Sequence, residues 1–354
     1  MLVNSQIYMN SLRNCIKRFP YWEKLNQQTV LITGSTGLVC SYLVDMIMVY
    51  NEINNANIRL IITGRNRQKA IERFSKWFSY NQFMFVEQDM REPIHFSEKS
   101  DYIVHAAGNA YPKLYDKEPV ETMQTNILGT DNLLKYALYS GTKNLLYISS
   151  GEVYGERNVT YGVEEDFCGH IDYMKTRSCY PVSKIAAETL CASYSKQFGI
   201  YTNVARLCHV YGPTMTQSDN RVINQFINNV LSNQNIVMKS SGSKIRSYCY
   251  VADAVLGILY ILVCGENSTA YNVSYESSVI SIKGIAELLA HMANKKVIFS
   301  QGESLGGTTI EQSILSNKKL KTLGWSGNYD MRLGLEETYN ILKEIQGKCV
   351  DETD

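Results

Sequence analysis

Tyr180 and Lys184 stand four residues apart in Tyr180-Pro181-Val182-Ser183-Lys184, thirty residues beyond Ser150 of the segment Ser149-Ser150-Gly151-Glu152-Val153-Tyr154-Gly155. Residues at i and i+4 share one face of a helix. On that face a lysine ammonium can lower a tyrosine phenol from its ordinary pKa of about 10. A tyrosine so tuned removes a proton from a sugar hydroxyl while a nicotinamide takes the hydride. The spacing by itself is common on helix surfaces, so the chemistry depends on what else the chain supplies.

A second group of residues could hold the nicotinamide. The apolar run 29–33 leads into Gly34-Ser35-Thr36-Gly37 and then into a helical stretch beginning at Leu38. Backbone N–H groups of such a turn, with the helix dipole behind them, hold a pyrophosphate. Gly34, Thr36, Gly37 and Leu38 are therefore expected at a dinucleotide. The usual third glycine is replaced by Cys40, which adds bulk where helix and strand pack closely. Asp89, just past the run 83–87, is expected near the adenine. The second strand ends in Gly64-Arg65-Asn66-Arg67, where an acidic residue would bind a ribose 2′-hydroxyl. Arg65 and Arg67 can instead accept a 2′-phosphate, and these residues leave NAD and NADP both open.

Elements must bring these groups together. Apolar runs at 29–33, 58–63, 83–87, 102–107 and 144–149 alternate with helical patterns near 38–50, 68–78 and 120–139. Such alternation predicts an α/β chain with a doubly wound parallel sheet, the dinucleotide-binding form. After Arg206 the pattern loosens into a helix at 226–231, strands at 236–239, 270–273 and 279–282, and a helix near 283–293. These suit a smaller mixed α/β lobe over the sheet's carboxyl edge. The expected boundaries are an N-terminal extension at 1–28, a dinucleotide domain at 29–206 that also receives about 245–264, a substrate lobe at 207–244 and 265–345, and a tail at 346–354, frayed from Cys349.

Composition narrows the partners. The 354 residues carry 35 basic and 34 acidic side chains with no long run of either sign, so neither nucleic acid nor an acidic membrane is expected. Nine cysteines lack any C-x-x-C pair, which argues against a zinc site or disulfide framework and for a reducing cytoplasm. The apolar stretches 38–50 and 251–264 are shorter than a spanning helix needs and contain Asp45 and Asp253, so both are expected as buried helices. Leu2, Ile7, Leu12 and Ile16 can form one helix face that docks on the body or a sister subunit.

Several motifs in order resemble the extended short-chain dehydrogenases/reductases, the nucleotide-sugar epimerases, dehydratases and decarboxylases. They are the glycine loop, His105-Ala106-Ala107-Gly108, Asn126-Ile127-Leu128-Gly129-Thr130, the Ser150 segment, the Tyr180/Lys184 pair, the run from Arg206 to Pro213, and Arg246-Ser247-Tyr248-Cys249-Tyr250-Val251-Ala252-Asp253. Within this family the chain is most similar to UDP-glucuronate decarboxylases. That likeness rests on Pro112-Lys113-Leu114-Tyr115 with Glu118-Pro119, on Glu152-Val153-Tyr154-Gly155, on Gly169-His170-Ile171 through Arg177-Ser178-Cys179-Tyr180, and on Asn220-Arg221-Val222-Ile223.

The resemblance implies roles. Tyr180 is the base, and Lys184 tunes it and holds the nicotinamide ribose. Ser150 hydrogen-bonds the reacting hydroxyl, and Glu152 serves the C5 proton. Ala107 and Asn126 join the NAD-binding residues. Tyr115, Tyr154, His209, Arg221 and Arg246 face a UDP-linked sugar, Arg246 pairing with an anionic part of it. His105 is expected packed within its strand. A homodimer through the helix at 120–139 and the helix carrying Tyr180 is implied as well, and surface polysaccharide precursors as the products' destination.

Some residues depart from the pattern. Gly151 stands where decarboxylases carry serine and 4,6-dehydratases an aspartate that expels the C6 hydroxyl, which argues most strongly against dehydration. His209 replaces an asparagine that meets substrate phosphate. Ser183 and Ile185 look more like a general epimerase. Decarboxylation of UDP-glucuronate is the first expectation. A C4 epimerase, a 4-keto reductase and a non-catalytic dinucleotide sensor are the alternatives.

Overall fold

β-branched and leucine-rich runs buried on both faces can only be the inner strands of a covered parallel sheet, and that is how they pair. The computed structural model describes residues 1–157, 159–216, 219–300 and 310–351, except the side chains at 113 and 348–351. Its main sheet comprises β1 (Thr29–Thr33), β2 (Arg59–Gly64), β3 (Phe83–Glu87), β4 (Tyr102–His105), β5 (Asn144–Ser150), β6 (Thr202–Leu207) and, later in the chain, Thr269–Val273. All seven strands run parallel, in the spatial order Thr269–Val273, β6, β5, β4, β1, β2, β3.

The first helices are α1 (Gln6–Arg18), α2 (Leu38–Asn54), α3 (Arg67–Phe74), α4 (Pro112–Lys117), α5 (Pro119–Ser140) and α6 (Cys179–Phe198). There follow β7 (His209–Tyr211), α7 (Val222–Leu231), β8 (Ile236–Met238), β9 (Ile245–Tyr250), α8 (Val251–Cys264), β10 (the Thr269–Val273 strand), β11 (Val279–Ser281), α9 (Ile282–Met292), β12 (Val297–Phe299), β13 (Gln312–Ser313), α10 (Lys318–Lys321) and α11 (Met331–Asp351). Helices α5 and α6 pack together on one side of the sheet, and α1, α2 and α8 on the other. Two smaller sheets lie beyond β6. In one, β9 pairs with β11, β13 and β7; in the other, β8 pairs with β12.

The two aspartates inside apolar helices are explained by their partners. Asp45 of α2 is fully buried and accepts from Tyr8 Oη at 2.8 Å, Arg73 Nη2 at 2.5 Å and Trp77 Nε1 at 2.7 Å. Asp253 of α8 accepts from Arg18 at 2.8 Å and from the backbone N–H groups of Asn328 and Tyr329. Each carboxylate ties a helix to segments distant in sequence, which offsets the cost of burying its charge. No helix among the described residues is long and apolar enough to cross a membrane.

Four expectations change. The strand at 270–273 belongs not to the smaller lobe but to the main sheet, as the partner of β6. Of the returning segment 245–264, α8 packs on the main sheet but β9 stays in the small one. The tail is not frayed from Cys349, because α11 continues to Asp351; residues 352–354 lie outside the described residues. The amino-terminal helix docks on the body, but through Tyr8, Leu12, Cys15 and Ile16, while Ile7 faces outward.

Candidate active site

The glycine loop owes its shape to a close crossing. Gly34 has φ +65°, and a β-carbon there would lie 2.7 Å from the Ala106 carbonyl oxygen. Only glycine fits. The crossing is braced by a chain of polar groups. Thr33 Oγ1 accepts from the backbone N–H groups of Ala106 and Ala107, each at 3.1 Å, and lies 2.7 Å from His105 Nδ1. Thr130 Oγ1 donates to the Asn126 carbonyl at 2.5 Å, so at 3.2 Å it receives a hydrogen bond from His105 Nε2. His105 thus carries its proton on Nε2 and accepts from Thr33 on Nδ1. Burial, then Lys184, holds its pKa down to about 3. It stays neutral, packed in its strand.

Beyond this crossing the residues fit a dinucleotide. Gly37 caps α2 without a side-chain hydrogen bond, leaving the first N–H groups of a long helix for an anion. Asn126 Nδ2 donates to Ser183 Oγ at 2.9 Å, while its Oδ1 is buried with no partner. A β-carbon on Gly108 would lie 2.7 Å from that oxygen and 3.8 Å from Lys184 Nζ. Cys40 is buried, its thiol pushed up to about 12 by burial, and it acts as packing. Arg65 is exposed at the end of β2, whereas Arg67 lies over the Phe78 and Phe85 rings. Asp89 is held by Arg91 at 2.6 Å, which lowers its pKa and leaves less of the carboxylate for an adenine.

The reacting end sits where β5 stops and α6 begins. Ser150 Oγ accepts from the Glu152 N–H at 3.2 Å. Arg177, three residues before Tyr180, grips both oxygens of Glu152 at 2.9 and 3.2 Å. Tyr115 of α4 stacks on the Tyr180 ring with centroids 4.4 Å apart and planes 11° apart, and Arg177 covers its other side. Lys184 is buried and donates to the Ile148 carbonyl at 2.9 Å; burial lowers its pKa to about 8. The expected acidification of Tyr180 is not found. Burial, then Glu152, pushes the phenol up to about 12, although hydrogen bonds from Ser150 and Tyr115 and the charge of Arg177 pull the other way. The Lys184 ammonium lies over the Tyr180 ring, 5.8 Å from its centroid.

A cationic wall faces this end. Arg221 is paired with Asp219 at 2.5 Å and donates to the Val210 carbonyl. Arg246 donates to the carbonyls of Ile245, Glu311 and Ile310. His209 keeps solvent access yet is crowded by the cleft, and this loss of hydration, followed by Arg246 and Arg221, depresses its pKa to about 4. Arg157, which the sequence did not single out, lies within electrostatic reach of His209 and Arg246; nothing in its spacing marks it. Arg177 was visible only as part of the motif before Tyr180. Tyr154 is a correction. Expected against the substrate, it is buried, accepting at its hydroxyl from Arg206 and donating to Asn272 Oδ1 at 2.6 Å. Gly151 has a packing reason, since a β-carbon there would lie 2.9 Å from Leu315 Cδ1. A leucine methyl thus fills the place of the dehydratase acid.

A parallel sheet crossed by a glycine turn, with serine, tyrosine and lysine at its carboxyl edge, defines a short-chain dehydrogenase-type enzyme. The chain belongs to the NAD dependent epimerase/dehydratase family, whose model matches residues 30–274. It is 30% identical to UDP-glucuronic acid decarboxylase 5 of Arabidopsis thaliana over 88% of this chain and 89% of that protein. It is 29% identical to UDP-glucuronic acid decarboxylase 1 of Xenopus tropicalis, over 95% of this chain and 77% of the relative. Among solved structures, UDP-glucose 4-epimerase from Thermotoga maritima superposes with a TM-score of 0.77 at 22% identity, covering 90% of this chain and 99% of the epimerase.

Proposed function

We propose that the protein decarboxylates UDP-glucuronate to UDP-xylose. The observation that carries this is Glu152, gripped by Arg177 close to Tyr180 and Ser150. Epimerisation has no use for a carboxylate so placed. The Gly34–Leu38 turn, Ala107, Asn126 and Lys184 would hold NAD, which when bound accepts a hydride from sugar C4 and later returns it. Tyr180, as phenolate, takes the proton of the C4 hydroxyl as that carbon is oxidised and gives it back when C4 is reduced, and Ser150 hydrogen-bonds the same oxygen as charge develops on it. A ketone at C4 lies beta to the C6 carboxylate, so carbon dioxide leaves with its electrons accepted into an enolate. Glu152 then governs the proton delivered to C5. Tyr115, stacked on Tyr180, keeps water from the phenol and fixes its plane.

Arg246, Arg221 and His209 form the wall that receives the UDP diphosphate. A homodimer through α5 and α6 is supported by their mutual packing and by the apolar side chains they leave exposed, Val120, Leu128, Tyr139 and Ile185. Free thiols on the described cysteines agree with a cytoplasmic enzyme supplying polysaccharide precursors.

Mass spectrometry of the protein incubated with UDP-glucuronate and NAD tests the reading. Loss of carbon dioxide with formation of a UDP-pentose is expected. An unchanged mass with a new C4 isomer would replace decarboxylase by epimerase. Tyr180→Phe should lower turnover by about 10³-fold, the scale of a lost general acid–base, with NAD affinity retained. No turnover of any nucleotide sugar by the parent would favour the sensor.

A further inference from the structure

Arg157 follows the tight turn at Gly155, whose φ is +62°. Its side chain is 9% exposed and lies over the Tyr154 ring, 5.5 Å from the centroid. Nη2 donates to Ser313 Oγ of β13. Nε and Nη1 are buried with no hydrogen-bond partner, and no carboxylate pairs with this guanidinium among the described residues. A buried cation with unmet donors is costly unless an anion meets it.

The neighbouring cations differ. Arg177 is matched by Glu152, Arg206 by Glu188 and Arg221 by Asp219. Arg246 turns its donors to three backbone carbonyls. Among the described residues, Arg157 alone in this group keeps both an unmatched charge and N–H groups without a hydrogen-bond partner. Burial lowers its pKa to about 10; among its charged neighbours, Arg246 adds to the lowering and Glu152 opposes it. It therefore lies within electrostatic reach of the group that serves sugar C5 and of the cation assigned to the diphosphate.

We propose that Arg157 binds the C6 carboxylate of the UDP-linked hexuronate and so selects the acid over the neutral sugar. This rests on the decarboxylase reading. C6 is bonded to C5, so the cation that holds its carboxylate must lie near the group serving C5, and Arg157 is the buried cation with unmet donors within electrostatic reach of Glu152. The planar guanidinium fits a carboxylate with two N–H donors.

Calorimetric titration of the NAD-loaded full chain carrying Tyr180→Phe, so that the acid binds without being converted, with UDP-glucuronate, UDP-glucose and UDP tests the assignment. In Arg157→Met, affinity for UDP-glucuronate should fall about 10- to 100-fold, as for a lost charged hydrogen bond. Affinity for UDP and UDP-glucose should stay within about twofold, since neither carries the carboxylate. With Tyr180 intact, KM for UDP-glucuronate should rise more than kcat falls, because the carboxylate is leaving as the transition state forms. Equal loss for all three ligands would place Arg157 on the diphosphate and overturn the proposal. Unchanged binding of all three would make it a packing residue over Tyr154 and overturn the proposal as well. A parent protein that binds both sugars alike overturns the decarboxylase reading together with this assignment, whereas a preference that survives in Arg157→Met overturns the assignment alone. Should the methionine variant not fold, Arg157→Lys keeps the charge but loses the fork, and an intermediate, glucuronate-selective loss is expected; no selective loss overturns the proposal.

Discussion

Lys184 shows how a buried charge is held in reserve at this site. Its ammonium has one backbone carbonyl at 2.9 Å and two tyrosine faces around it, and burial lowers its pKa to about 8 from 10.5. Between those values the folded chain sheds the proton that the unfolded chain keeps, so unfolding takes up a proton. Burial of this ammonium therefore costs stability in full below pH 8, and the cost is relieved as pH rises from 8 to 10.5. Urea unfolding of the parent and of Lys184→Met across that range should show the parent gaining stability relative to the variant as pH rises. Parallel curves would mean that Lys184 titrates as it does in water. At the same scale, Tyr180 is pushed up by burial and by Glu152. In the chain alone the phenol thus keeps its proton at neutral pH, and it must lose that proton before it can take one from the C4 hydroxyl.

Helices and strands reach this site through a few polar joints between distant segments. Asp45 is the clearest, joining α1 through Tyr8, α3 through Arg73 and the turn at Trp77–Ser79 to α2. Asp45→Ala would leave Arg73 in the interior without its carboxylate. A loss of about 3–5 kcal/mol is expected from urea unfolding, the scale of a broken buried ion pair. A loss below about 1 kcal/mol would show that water replaces the carboxylate there. The same helix carries the glycine turn at its amino end, so its anchoring also fixes the expected pyrophosphate site. The motif glycines at 34 and 37 were legible in the sequence because their turn is local. The Asp45 joint was not, since its partners come from residues 8, 73 and 77 and no periodic pattern links them.

For the whole molecule, association is governed by the apolar side chains that α5 and α6 leave exposed. α5 and α6 lie side by side, with Val120 61%, Tyr139 64%, Leu128 45% and Ile185 38% exposed. Two such pairs facing each other would bury these side chains in a four-helix interface. Sedimentation should give a particle of about twice the 40.2 kDa chain mass, and a Leu128→Glu, Ile185→Glu double variant should sediment as a single chain. A monomeric parent would refute the dimer.

The sequence alone determined the parallel sheet, its first five strands, the glycine turn and the Tyr180/Lys184 pair. Each of these is written in local spacing: alternating runs, a strand–turn–helix passage, an i, i+4 step. Only the tertiary structure decided that β10 closes the edge of the main sheet, that Tyr154 is an internal pin, that Leu315 fills the space beside Gly151, and that Tyr115 stacks on Tyr180. It also reversed the expected shift of the tyrosine and brought Arg157 within electrostatic reach of Glu152 and Arg246. Burial and unmatched charge are sums over neighbours far apart in the chain, so no local pattern could have recorded them.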